Sequence, residues 1–316
     1  MKEEIREAIT HLSGFDRKHS SEAIEAARAL GALGVEALCA VLDTPAALNV
    51  PGPRRTLSAQ LARQDPAAVA PALLRALAHK DWRPNQVACD AIGLMKETMT
   101  PALIDNLETE REPTGRINTI LILRRMGVSA AAPALAKLAR EDPVAEVRAA
   151  AVEALGHLGV SQAAAAVVAG LDDTSPAVRL KSVKAAGWLR MCEATEGILA
   201  FARSADTEGR AAAVYALDRI GEVRATSFVV DCLKDADPYV RWSAAVALRR
   251  LWQEGCETAL EKVLEDTEET VAAAALETLC IAAPKRARGL LAAAMEDPRP
   301  ALQRTAGFYG RMSATG

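Results

Sequence analysis

The stretch from Glu141 to Gly159 reads EDPVAEVRAAAVEALGHLG and carries the pattern that decides the fold prediction. It opens with an acidic turn, continues through Arg148, and ends in an alanine-rich segment whose regularly spaced apolar residues are Val152, Leu155 and Leu158. Spacings of three and four residues place such side chains on one face of an α-helix. The stretch therefore predicts a turn followed by an amphipathic helix, and the same pattern recurs along the chain.

The recurrence has a period of 31 residues, counted from Arg148, which we call the anchor position. The ten anchor positions, with one step of 32 between the fourth and the fifth, are Ala23, Arg54, Asn85, Arg116, Arg148, Arg179, Arg210, Arg241, Ala272 and Gln303. Positions +4, +7 and +10 after the anchor are mostly apolar, and positions +3 and +6 are mostly Ala or Ser. A fixed period of about 20–50 residues is typical of a solenoid built from stacked repeats.

The composition agrees with an all-helical protein and excludes several other classes. The chain of 316 residues is 50% hydrophobic but only 3% aromatic, and its net charge of -3 gives no general attraction to nucleic acid or anionic membranes. No apolar run approaches the length of a membrane span, and the charged N-terminus does not resemble a signal peptide. The six cysteines lie far apart in the sequence and fall within helical patterns. This spacing predicts no disulfide framework and no zinc site, and it indicates core residues of a cytoplasmic protein.

The domain prediction is one solenoid over residues 1–316, made of about ten helix pairs. The repeats within residues 1–96 are more degenerate, those within residues 97–283 are regular, and residues 284–316 form a C-terminal capping repeat. Residues 44–53 contain three prolines and a glycine, so they are predicted to form a longer loop. Proline recurs three residues before every second anchor, where the first turn of a helix tolerates it.

An acidic turn with proline, Val-Arg, small residues and Leu-Gly together resemble the HEAT repeat, in particular the short bacterial subclass known from phycobilin lyases. The resemblance covers nearly the whole chain and is strongest from Arg116 to Leu251. It implies a right-handed superhelix in which turn aspartates and anchor arginines form a ladder between successive repeats. The ladder role falls on three pairs, Asp142/Arg148, Asp173/Arg179 and Asp235/Arg241, and the ladder is expected to be interrupted at Ala23, Asn85, Ala272 and Gln303.

Enzymes of this repeat class have signatures that this chain does not match. Related di-iron hydroxylases use His-Glu pairs, whereas no histidine here is followed by Glu, and His157 has no second histidine at metal spacing. No phosphate-binding glycine loop and no nucleophile elbow occurs. We therefore predict no catalytic residue, no metal ligand and no cofactor.

The predicted binding surface lies on the anchored helices, which in HEAT stacks are the second helices of the pairs and line the concave groove. If positions +4, +7 and +10 face the core, then +2, +5 and +9 face the groove and the solvent. Arginine and aromatic residues, which are enriched at binding hot spots, are frequent there. The candidate groove residues are Arg63, Arg124, Arg125, His157, Lys184, Trp188, Tyr215, Arg219, Arg249 and Arg250.

These observations predict a non-enzymatic, cytoplasmic interaction scaffold of bacterial type. Its partner would be another protein that presents an acidic helix or extended segment to the groove, with no role for a membrane. The alternative is an enzyme or enzyme subunit of the bilin-lyase kind, because lyases of this class share the repeat itself. A third alternative is a nucleic-acid-binding protein, which needs a basic and aromatic face that this chain has only in part.

Overall fold

The fold of the chain is seen in a computed structural model, which describes residues 1–160 and 163–314. Over these residues the chain is helical and contains no strand. Ten helix pairs follow one another. Their first helices are α1 (Glu3–Ser13), α3 (Val35–Ala40), α5 (Pro66–Leu77), α7 (Thr100–Thr109), α9 (Ala132–Glu141), α11 (Ala164–Gly170), α13 (Thr195–Ser204), α15 (Thr226–Cys232), α17 (Cys256–Val263) and α19 (Pro284–Met295).

The second helices carry the anchor positions. They are α2 (Ser20–Ala32), α4 (Pro51–Leu61), α6 (Trp82–Met95), α8 (Pro113–Met126), α10 (Ala145–Leu158), α12 (Pro176–Leu189), α14 (Thr207–Ile220), α16 (Pro238–Ala247), α18 (Glu269–Ala282) and α20 (Pro300–Ala314). Each of them begins three residues before its anchor, so successive starts differ by 31 residues, with one step of 32 between Pro113 and Ala145. The predicted all-α fold of repeating helix pairs is confirmed.

The chain divides into two compact units, residues 1–163 and 164–316. In the first unit neighbouring second helices pack against one another from α2 to α10, and in the second unit they do so from α12 to α20. Most of them also pack against the first helix of their own pair. Each unit therefore has the architecture of an α-solenoid, and the interpretation of residues 1–316 as one solenoid stays a prediction.

One predicted segment differs from the structure, and a second prediction, a helix over residues 161–171, lies partly outside the described residues. The loop predicted over residues 44–53 instead holds a 3₁₀ helix, Pro45–Leu48, and the first turn of α4, which begins at Pro51. N–H groups in the first turn of a helix have no partner within the helix. Proline, which lacks an N–H, therefore loses no hydrogen bond there, and these prolines start helices. The helix predicted from residue 161 is described from Ala164 onward, and residues 161 and 162 lie outside the described residues.

The core of each unit is built from small residues as much as from large ones. In α10, Val152 and Leu155 are fully buried, and so are Ala151 and Ala154 beside them. Small side chains at these positions let neighbouring second helices approach closely. At Gly187 in α12 a Cβ atom would lie only 2.8 Å from the Cα atom of Ala216 in α14.

The anchor arginine joins a repeat to the next one. Nε of Arg116 lies 2.7 Å from Oδ2 of Asp142, and both side chains are almost completely buried. Nη2 of Arg116 donates to Oδ1 of the same aspartate at 3.0 Å, and Nη1 donates to the carbonyl oxygens of Glu110 and Arg111 in its own turn. One guanidinium group thus satisfies polar groups of two successive turns, which would otherwise be costly to bury.

The same contact recurs twice in the second unit. Arg210 lies 2.6 Å from Asp235, and Arg241 lies 2.6 Å from Asp266. Within the three predicted ladder pairs the arginine reaches a main-chain carbonyl. Nη1 of the arginine donates to the aspartate carbonyl oxygen at 2.9 Å in Asp142/Arg148, at 2.7 Å in Asp173/Arg179 and at 2.9 Å in Asp235/Arg241. The carboxylates of Asp142 and Asp235 bind the anchor arginine of the preceding repeat.

Substitutes for the ladder contact occur where the pattern weakens. Arg54 has its guanidinium carbon 4.6 Å from the centre of the Trp82 ring, in a cation–π contact with the first residue of the next second helix. Although the anchor is lost at Ala272, the turn at Asp266 is satisfied by Arg299. Its Nη1 and Nη2 each donate at 2.7 Å, to the carbonyl oxygens of Asp266 and Leu264. The expected interruption at Ala272 is therefore bridged by an arginine from the following turn.

The buried ladder contact predicts a large difference between two arginines of α8. Arg116→Ala leaves Asp142 buried without its cation, and removing one partner of a buried pair costs on the order of 3–5 kcal/mol. Arg125→Ala, an exposed position on the same helix, should change the free energy of unfolding by no more than about 0.5 kcal/mol. Urea unfolding of both variants measures this, and equal shifts would contradict the structural role of the ladder.

The close approach at Gly187 predicts opposite effects for two helical glycines. Gly187→Ala places a Cβ atom against the backbone of α14, so it should lower the free energy of unfolding by about 1–3 kcal/mol. In Gly93→Ala the new Cβ would lie 3.3 Å from Nη2 of Arg125, the movable end of a long side chain. The better helix propensity of alanine should then raise stability by about 0.5–1 kcal/mol. The melting temperatures of the two variants test this, and a lower melting temperature for both would contradict the prediction.

Candidate functional site: the face of the second helices

The predicted groove residues lie on the second helices or in the turns that follow them. We call the exposed side of these helices, which carries positions +5 and +9, the second-helix face. The first unit contributes Arg63, Arg124, Arg125 and His157, and the second unit contributes Lys184, Trp188, Tyr215, Arg219, Arg249 and Arg250. Each unit brings part of its set together in one hollow, and Arg63 is exposed after the end of α4.

The first unit has a hollow of about 670 Å³ on this face, which we call the basic hollow. It is formed by α6, α8 and α10, and three of the predicted residues line it. The lining residues are Asn85, Cys89, Asn118, Leu121, Ile122, Arg124, Arg125 and His157. Both asparagine side chains donate to the carbonyl oxygen of Leu77, which fixes them in the wall of the hollow. No carboxylate lines the hollow, so its character is polar and basic.

Arg125 is held in place across α6. Its Nη2 atom donates to the carbonyl oxygen of Cys89 at 2.9 Å. The guanidinium group lies close over Gly93, where a Cβ atom would come within 3.3 Å of Nη2 and require only a small shift of it. The remaining N–H groups of Arg125 stay available to an anionic group in the hollow.

The second unit has a hollow of about 690 Å³ on the same face, which we call the aromatic hollow. It lies on α12, α14 and α16, and it is lined by Lys184, Trp188, Thr207, Glu208, Ala211, Ala212, Tyr215 and Tyr239. Tyr215 and Tyr239 are 48% and 61% exposed, which is unusual for large apolar rings. Three of the eleven aromatic side chains (Phe, Trp and Tyr) in the chain thus meet at one place.

Three predicted cations of the face are neutralised by glutamates. Arg124 lies 3.7 Å from Glu153, Lys184 lies 2.9 Å from Glu208, and Arg249 lies 3.2 Å from Glu277. In each case the glutamate belongs to the next second helix, at position +5 or two residues before the anchor. These cations therefore contribute less positive charge to the face than their number suggests.

Arg219 and Arg250 carry positive charge that no carboxylate of the described residues meets at ion-pair distance. Nη1 of Arg250 donates to the carbonyl oxygen of Arg219 at 3.4 Å, so the two residues are neighbours. Arg219 is half-buried rather than solvated, and its Nε atom is buried without a hydrogen-bond partner. Burial raises the pKa of the nearby carboxyl of Asp218, although the cations of Arg250, Arg249 and Arg219 act in the opposite direction.

Sequence reasoning missed two aromatic residues of this face. Tyr239 is two residues before its anchor and Trp242 is one residue after it, whereas only positions +2, +5 and +9 were assigned to the face. Their rings stack with centroids 5.9 Å apart and planes 16° apart, and Trp242 is 38% exposed. The signal that could have found them is that two aromatic residues lie within four positions in a chain poor in aromatics.

Neither a metal site nor a membrane-spanning helix is found among the described residues. No three His, Cys, Asp or Glu side chains among them cluster as a metal site would require. None of the helices described combines the length and the apolar character needed to cross a membrane.

The thiol of the basic hollow is a weak nucleophile. All six cysteines are free, and Cys89 is half-buried. Burial raises the pKa of the Cys89 thiol, and the cation of Arg125 offsets this only in part. Burial likewise raises the pKa of Cys280 to about 11 and that of Cys232 to about 12. Burial thus disfavours the thiolate, which is the reactive form, in all three cysteines.

Comparisons with known proteins agree with this architecture. A family model of HEAT repeats matches residues 100–174 and 165–249. Kap121p is 12% identical with a TM-score of 0.56, and the match covers 98% of this chain and 41% of that one. An engineered protein is 19% identical with a TM-score of 0.50, covering 97% of this chain and 98% of that one. No curated protein matches the sequence.

A lyase structure is also similar. The complex of CpcE and CpcF of phycocyanin lyase from Nostoc sp. PCC7120 is 22% identical, and the match covers 67% of this chain and 93% of that one. Its TM-score of 0.44 is too low to support a conclusion. At these identities the solved structures show the fold alone.

The raised pKa values predict an order of thiol modification. In the native protein at pH 8, iodoacetamide should label the exposed Cys192 first and Cys89 much more slowly, because Cys89 is half-buried and burial disfavours its thiolate. Peptide mapping by mass spectrometry measures both rates. The urea-unfolded chain is the control, in which all cysteines should react alike, and equal native rates would show that Cys89 is an accessible thiolate.

Proposed function

Since residues 100–249 of this chain are HEAT repeats, we propose that the protein is a non-enzymatic adaptor that binds a segment of another protein on its second-helix face. Stacked repeats present extended surfaces that such proteins use for binding. The observation that carries the proposal is the aromatic hollow. Trp188, Tyr215 and Tyr239 converge there in a chain with 3% aromatic residues, and Tyr and Trp are the residue types that most often dominate protein interfaces.

The charges of the face support an acidic partner. Arg124, Lys184 and Arg249 already have glutamate partners. The positive charge that remains for a ligand at position +9 is carried by Arg63 and Arg125 in the first unit and by Arg219 and Arg250 in the second. Each guanidinium group can offer paired N–H donors to a carboxylate. We propose the cytoplasm as the compartment, because six free thiols are typical of a reducing environment.

The proposal predicts that charge reversal on the second-helix face abolishes binding. Arg125 and Arg250 are both exposed, so Arg125→Glu/Arg250→Glu should leave the melting temperature nearly unchanged while partner proteins are lost. The measurement is affinity capture from the cell that makes the protein, followed by mass spectrometry.

The matched control is Arg140→Glu/Arg288→Glu, which reverses one exposed arginine of each unit on the first helices α9 and α19. Proteins held by the wild type and by this control, but not by the face variant, are the expected result. Identical sets of captured proteins from all three would overturn the proposal. A change in the absorbance of free bilin on mixing with the wild type would favour the lyase alternative.

A further inference from the structure

The second unit places an apolar site and a cationic site side by side on its second-helix face. Helices α12, α14 and α16 pack next to one another, and the aromatic hollow lies on them. On α14, Tyr215 and Arg219 are four residues apart, so their side chains share one face with an axial separation of about 6 Å. Arg250 adjoins Arg219 through its hydrogen bond to the carbonyl oxygen of that residue.

The aromatic hollow suits an uncharged apolar side chain. Its floor contains Ala211 and Ala212, which leave room between the rings. The charged groups that line it are Lys184 and Glu208, which neutralise each other at 2.9 Å. A cationic guest would face the ammonium group of Lys184 without an unpaired carboxylate in the lining. The stacked rings of Tyr239 and Trp242 extend the apolar surface beyond the hollow.

The guanidinium groups beside the hollow have donors to spare. The buried Nε atom of Arg219 has no partner, and Arg250 makes one long hydrogen bond of 3.4 Å. Asp218 is close enough to act electrostatically on both cations, but no ion pair joins it to either of them in the described part of the chain. A carboxylate brought by a ligand can accept from the guanidinium of Arg250 and from the terminal N–H groups of Arg219, whereas the buried Nε atom of Arg219 is no part of that contact.

We propose that the aromatic hollow together with Arg219 and Arg250 binds one protein segment, in which a large apolar side chain is followed within one or two helical turns by carboxylates. The apolar side chain enters between Trp188, Tyr215 and Tyr239. The carboxylates accept hydrogen bonds from the two guanidinium groups. This inference rests on the proposed adaptor function and names the chemistry of its partner in the second unit.

The test uses a displayed library of random 12-residue peptides, selected on the full-length protein. The enriched peptides should contain Leu, Phe, Met or Trp with Asp or Glu three to eight residues away. On Tyr215→Ala/Tyr239→Ala the preference for the apolar residue should vanish, and a synthetic winning peptide should bind at least about tenfold more weakly. On Arg219→Gln/Arg250→Gln the preference for acidic residues should vanish, and binding should lose most of its dependence on salt.

The controls are matched in residue type and lie in the same unit. Phe228→Ala removes a half-buried ring of the first helix α15, and Arg203→Gln/Arg288→Gln removes two exposed arginines of first helices. Neither control should alter affinity. Circular dichroism and melting check every variant, and Arg250→Gln alone replaces the double variant if the half-buried Arg219 proves necessary for folding.

The contrary outcomes separate this inference from the proposed function. If the enriched peptides bind all variants equally, the adaptor function is still supported, but the aromatic hollow with Arg219 and Arg250 is not its binding site. Acidic winners without an apolar preference would show that the hollow is no anchor. Failure to enrich any peptide would count against both proposals. If the wild type binds a labelled 12-nucleotide RNA and both the tyrosine and the arginine double variants lose that binding, the surface binds nucleic acid instead.

Discussion

The architecture depends on one buried contact, the anchor guanidinium that bridges two successive turns. A solenoid repeat cannot bury its apolar face alone, so it is stable only against its neighbours. The turns between its helices carry main-chain carbonyls and aspartate carboxylates that stacking removes from water. Arg116 satisfies both kinds of group, since it donates to its own turn and pairs with Asp142 of the next repeat. Without such a group, stacking would leave buried acceptors unpaired.

The contact tolerates a small change of repeat length and does not by itself fix the period. The second helices start in steps of 31 residues even where the anchor is not arginine, and the one step of 32 lies between two anchors that are both arginine. Where the anchor is missing at Ala272, Arg299 reaches back to the carbonyl oxygens of the same turn. The polar groups of the turn demand a partner, and the position that supplies it can vary.

The sequence predicted the helices, their order and their register because these follow from local spacing. It named Asp142, Asp235 and Arg241 as ladder residues. It did not name Arg116, Arg210 and Asp266, since pairing Asp142 with Arg116 rather than Arg148 depends on how repeats stack. The ion pairs of the face were missed for the same reason, because Glu208 meets Lys184 from the next helix. Tyr239 was missed because only positions after the anchor were assigned to the face, although two residues before the anchor is about 160° around the helix, between +5 at about 140° and +9 at about 180°. Local periodicity thus predicts which side of each helix a residue lies on. Which residues of different helices contact one another can be seen only in the packed structure.

The separation of the ladder from the second-helix face follows from helix geometry. Position +9 is about 900° around the helix from the anchor, which is two full turns and a further half-turn, so it lies on the opposite side. Arg116 is accordingly buried against the next repeat while Arg125 of the same helix is exposed. Arg241 is likewise mostly covered in its ion pair with Asp266, whereas Arg250, just after the end of α16, is exposed. Side chains at +5 and +9 can therefore change without disturbing the contact that stacks the repeats. The fold leaves these positions free to be chosen for a ligand, which is why their arginines and aromatic rings are informative about function.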